Sequence, residues 1–159
     1  MMACDPRRPE QTRRLNKAKK YLRWFLMDTP ECNRLLRDFE TDDDKLEFAI
    51  EMAISDWNST APLLSPRHIG NFPSLYLLMH GAAIQVLKMQ GIKQDRNRLT
   101  YNAGGSSFSR SDKGPYYMQW AQLFISDYEI KKLNFKKSQN ICAGWGGINS
   151  EYDDIGYSF

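Results

Sequence analysis

A small, mainly α helical bundle closed around a central apolar helix, with a β-hairpin insertion and an extended C-terminal tail, is the fold class this sequence predicts. Three observations lead there. The run Phe72–Gly91, FPSLYLLMHGAAIQVLKMQG, reads as helix and carries no charge until Lys88. Segments on either side of it repeat apolar residues at helical spacing. Two further stretches, at about 96–110 and 138–159, are rich in Gly and small polar residues and lack that period. The chain then divides into a flexible N-terminal arm (1–9), a helical domain (10–137) holding the hairpin, and a docking tail (138–159).

Each element follows in order. From Glu10 to Met27, Leu15, Ala18, Leu22 and Leu26 fall on one stripe while six Lys/Arg occupy the remainder, a basic amphipathic helix. Thr29, Pro30 and Glu31 are a helix start, with Leu35, Leu36 and Phe39 turned inward. Thr41 caps the next helix, whose stripe is Leu46, Ala49, Ile50, Ala53, Ile54 and Trp57. The three aspartates after the cap, Asp42, Asp43 and Asp44, suit the positive end of its dipole better than a calcium loop, which would need the pattern DxDxDG. Residues 58–71, NSTAPLLSPRHIGN, form a long loop. Pro73 and Ser74 open the central helix and Gly91 ends it. The hairpin turns near Ala103–Gly105, with Leu99 and Tyr101 on one strand face. Asp112 and Pro115 start the last helix, whose inner stripe is Tyr117, Trp120, Ala121, Phe124 and Tyr128, and Lys131, Lys132, Lys136 and Lys137 gather at its negative end. The tail keeps Trp145, Ile148, Tyr152, Tyr157 and Phe159 on a glycine-rich backbone, large anchors suited to a strap.

At 159 residues, 42% apolar and 13% aromatic, the chain supports one core and excludes wholesale disorder. The net charge of +3 hides an alternation: residues 1–23 carry +6, 24–57 carry −7, 58–137 carry +7 and 138–159 carry −3. Blocks of opposite sign can meet inside one monomer or between copies. Three scattered cysteines without a CxxC motif fit a reducing cytoplasm, and the N-terminus lacks the apolar run of a signal peptide. The uncharged part of the central run is broken by Gly70, Asn71, Pro73 and Gly81 and falls short of the ~20 residues a bilayer needs, so no membrane span is expected.

Catalytic signatures do not emerge. His68 and His80 match no zinc spacing, Gly104–Gly105 lacks the flanking pattern of a phosphate loop, and no HExxH or GxSxG occurs. The expectation is a protein without enzymatic activity, cofactor or metal. The basic helix offers Arg13, Arg14, Lys17, Lys20 and Arg23 for contact with DNA or an acidic partner, which keeps nucleic-acid binding as the alternative function.

The series DWNST (56–60), NFPSLYLLMHGAAIQVL (71–87), GI (91–92), RNRLTYNAGG (96–105), DKGPYYMQW (112–120) and GWGG (144–147) resembles neck, or head-to-tail connector (adaptor), proteins of tailed bacteriophages. That resemblance spans about residues 46–152 and leaves the basic helix outside. It implies a structural virion protein, assembled in the host cytoplasm into a ring of copies, a dodecamer by analogy with the portal. The ring would lie between portal and tail and continue the DNA channel, without sequence-specific contact. Its partners would be itself, the portal protein, and other neck or tail-completion proteins. Trp145, Gly146, Gly147, Ile148, Tyr152, Tyr157 and Phe159 would dock on the portal, and Arg96, Arg98, Leu99, Tyr101, Phe108, His68 and Ile69 would face a neighbouring subunit.

Overall fold

The computed structural model describes residues 8–34, 36–97, 100–103, 106–109 and 113–144. Four helices build the domain: α1 (Arg8–Leu26), α2 (Asp43–Ser59), α3 (Leu75–Arg96) and α4 (Gly114–Gly144). α3 is the hub and packs against the other three, while α1 also lies on α2. One apolar cluster joins Leu22 of α1, Leu46, Ala49 and Ile50 of α2, and Leu78 and Ala82 of α3. The second joins Trp57, Leu77, Ile84 and Tyr128, with Phe72, Phe124 and Phe135 against them. A helix apolar on all sides must be surrounded, and α3 is.

Local chemistry explains most boundaries. Ser74 caps α3, its hydroxyl accepting from the Leu77 N–H at 3.4 Å, and Lys93 and Arg96 lie at the negative end. Asp43 and Asp44 fill the first turn of α2, but the capping position falls on Asp42, whose side chain makes no capping bond. Thr41, expected there, is buried, and its hydroxyl oxygen accepts from Gln90 Nε2 at 2.9 Å. α2 also runs two residues past Trp57, to Ser59.

Four expectations need correcting. Among the described residues no helix forms over 29–39. The Asp28 carboxylate instead accepts from Asn33 Nδ2 and the Glu40 N–H, both at 2.7 Å, and from the Thr41 N–H at 3.0 Å, which fixes the segment as turns. Leu36 and Phe39 are consequently exposed. Gly91 does not end α3, which continues to Arg96; a Cβ at Gly91 would lie 2.9 Å from Met118 Sδ, part of a flexible side chain of α4. Residues 138–144 belong to α4, not to an extended tail.

The last correction concerns fold class. The domain is mainly α, as expected, but among the described residues its architecture is helical and a β-hairpin insertion is not part of the bundle: no sheet packs on the helices. Thr100–Ala103 and Ser106–Ser109 show a local antiparallel pairing with Tyr101 opposite Phe108, and these two four-residue stretches make their contacts with each other. Polar residues with two isolated aromatics supply too little apolar surface to dock a sheet on the helices.

Candidate functional site

The basic helix α1 is largely engaged with its own neighbours. Lys19 Nζ lies 3.2 Å from Glu47 Oε2, and Arg23 bridges Asp43 (2.6 Å) and Asp28 (3.3 Å) with its guanidinium over the Phe39 ring. Arg14 pairs with Glu10 at 2.7 Å and donates to the Gly70 carbonyl. The positive first block and the negative second block therefore meet inside the monomer. Lys17 and Lys20 lie over the rings of Tyr21 and Trp24, and these two and Arg13 form no ion pair among the described residues. Arg13, Arg14 and Lys17 share a groove of about 480 Å³ with Ile69, Phe72 and Leu75.

Of the expected subunit-facing residues, Ile69 packs on the core from the loop before α3. His68 is exposed and its Nδ1 accepts from the Gly70 N–H at 3.0 Å, while Arg96 is exposed in the last turn of α3. Tyr101 and Phe108 stand opposite each other in the pairing of Thr100–Ala103 with Ser106–Ser109. Arg98, Leu99, Trp145, Gly146, Gly147, Ile148, Tyr152, Tyr157 and Phe159 lie outside the described residues.

Among the described residues, α4 carries a long row of exposed apolar side chains. Its inner face, through Ala121, Phe124 and Tyr128, closes on α3. On its outer face Tyr116, Trp120, Leu123, Ile130 and Ile141 are between 51% and 66% exposed. They occupy positions of an alternating four- and three-residue spacing that passes also through Asp127, Asn134 and Lys137. Five large apolar side chains thus fall within an arc of about 80° over ~38 Å of helix. Trp120, expected inside, belongs to this outer row. The row is present in the sequence as a second seam of heptad spacing, and a search for one buried stripe per helix passes over it.

Two of the four clustered lysines are buried rather than solvated. Lys132 Nζ donates to Asp56 Oδ2 at 2.8 Å and Glu129 Oε1 at 2.9 Å. Lys136 Nζ donates to the Trp57 carbonyl at 2.5 Å and to the Thr60 carbonyl, closing the end of α2 from a different helix. Burial, then the nearby Lys132 charge, holds the Lys136 ammonium below its ordinary value. His80 is buried against Tyr76, Phe25 and Phe124, and burial holds it below the usual imidazole value despite its contact with the Tyr76 carbonyl at 3.1 Å. The Tyr76 hydroxyl donates to Asp127 at 2.6 Å, and Lys131 Nζ donates to Asp127 (2.8 Å) and to the Tyr76 oxygen (2.7 Å). These polar contacts tie α3 to α4. No group of His, Cys, Asp and Glu among the described residues could hold a metal ion, and no helix among them is long and apolar enough to cross a membrane.

No family model, curated protein or solved structure matches the chain.

Proposed function

We propose that this chain is a structural subunit of a tailed-phage neck, without catalytic activity, assembled into a ring of copies between portal and tail around the DNA path. The observation that carries the reading is the outer row of α4. Left in water, Tyr116, Trp120, Leu123, Ile130 and Ile141 form an extended apolar strip of the kind that marks an interface. A neighbouring copy that covers the strip with a different part of its own surface makes a head-to-tail contact, and such contacts repeat around a ring when the rotation closes. The motif order shared with neck proteins supports the same assignment, and the 145–159 segment is the proposed portal strap.

Light scattering and native mass measurement, with and without portal protein, test the proposal. A ring of defined stoichiometry is expected for the wild type, alone or on the portal. Leu123→Glu combined with Ile130→Glu is expected to give a monomer of unchanged helicity, because both side chains are solvent-exposed in the single chain. A wild type that stays monomeric under both conditions, or a double variant that assembles as before, would overturn it.

A further inference from the structure

Between the end of α1, the turns that follow it, α3 and the start of α4 lies a cavity of about 270 Å³. Much of its wall is apolar and aromatic, from Phe25, Leu87, Trp120 and Phe124. Its polar groups are unevenly satisfied. Both oxygens of Asp28 are occupied by the donors described above together with Arg23. Glu40 is different: its two oxygens share one donor, the Tyr117 hydroxyl, at 3.0 and 3.1 Å, and it forms no ion pair among the described residues. Gln90 is 5% exposed, gives Nε2 to Thr41, and leaves Oε1 with no hydrogen-bond partner. Burial, and then the Glu40 charge, push the Tyr117 phenol up to about 12, so it remains a neutral donor.

One cavity therefore offers a carboxylate that no cation among the described residues pairs, and aromatic faces, among them Tyr117 and Trp120 edge to face at 5.9 Å. We propose that it receives an organic cation: a guanidinium or ammonium group carried on an apolar stem, as on an arginine or lysine side chain or a free alkylamine. The head would pair with Glu40, and the stem would lie along rings that attract positive charge. An anion would face the Glu40 charge, and a purely apolar occupant would leave that carboxylate unpaired. The cavity lies within the single chain, so cation binding can be read on the monomer whether or not copies assemble.

Titration with n-butylguanidinium, followed by amide NMR at the Trp120 indole N–H and the Gln90 side-chain amide, tests it against n-butanol as the uncharged control. Saturable one-to-one shifts with the cation are expected, with butanol weaker by about tenfold or more. Glu40→Gln, which keeps an acceptor for Tyr117, is expected to weaken cation binding by about tenfold or more, and Trp120→Ala by about threefold or more. Both changes lie outside the apolar core, and circular dichroism verifies the folds. No saturable shift, an equal response to butanol, or undiminished binding in Glu40→Gln would overturn the proposal. Where a second copy supplies the cation, butylguanidinium and Glu40→Gln both reduce self-association; where the source is a free amine, self-association is unchanged and binding persists.

Discussion

Lys136 shows how far one side chain can decide the state of another element. Its ammonium lies 79 residues along the chain from the Trp57 carbonyl it binds and 5.1 Å from the centre of the Trp57 ring. Lys136→Met preserves the aliphatic stem but leaves two carbonyls unpaired, and is expected to cost about 2 kcal/mol in urea unfolding. His80 supplies a pH dependence. Its folded-state value lies below the ordinary 6.5, so on acidification the unfolded chain takes up this proton first. Its contribution to stability is complete above pH 6.5 and is lost as the pH falls from there through the folded-state value. Urea midpoints recorded from neutral pH down to about 5 should decline, and the decline should be shallower in His80→Phe, which keeps an aromatic ring but cannot titrate. A slope unchanged in the variant would assign the effect to carboxylates.

At the level of elements, two glycines of α3 with similar sequence surroundings do different jobs. A Cβ at Gly81 would meet Ala53 Cβ and the Tyr128 hydroxyl at 3.1 Å each, and neither can yield: one is fixed to α2 and the other is held by Asp56 at 3.0 Å. Gly81→Ala should destabilise by about 1–2 kcal/mol through overpacking. At Gly91 the nearest atom is the end of a half-exposed methionine that can swing aside, so Gly91→Ala should be neutral or stabilising by up to about 1 kcal/mol through helix propensity. Urea midpoints of the pair distinguish a steric need for glycine from an incidental one. The starts of α2, α3 and α4 were legible because acidic first turns, Ser74 and Pro115 act within one turn of the boundary. The 29–39 segment and the end of α3 were not, because a side chain outside the segment (Asp28) and a facing helix decide them, and neither leaves a local pattern.

Across the whole molecule, the first three of the alternating charge blocks meet one another within the chain. α1 meets the start of α2 through Lys19 and Arg23, and α4 meets the end of α2 through Lys132. Sequence indicated that the blocks were complementary but not whether the complement lay in the same chain. It likewise indicated amphipathic helices while hiding the second, outward row on α4 and the Glu40–Tyr117–Gln90 cavity, whose members come from three distant segments. Arg13, Lys17 and Lys20 are the cations of α1 left without acidic partners among the described residues, so any contact with DNA along this helix would have to rely on fewer charges than its composition suggests.

The anchorage of α4 has a mechanical consequence. Lys132 and Lys136 fasten the helix to α2 well before its end, and past Lys136 no residue through Gly144 is buried. Those last two turns carry no buried residue to clamp them. A pull applied at Gly144 would load the α3–α4 seam lengthwise, in shear, and the free turns would yield before the clamped ones. Under tension along its axis, α4 gives first at its tip while the bundle behind it keeps its shape.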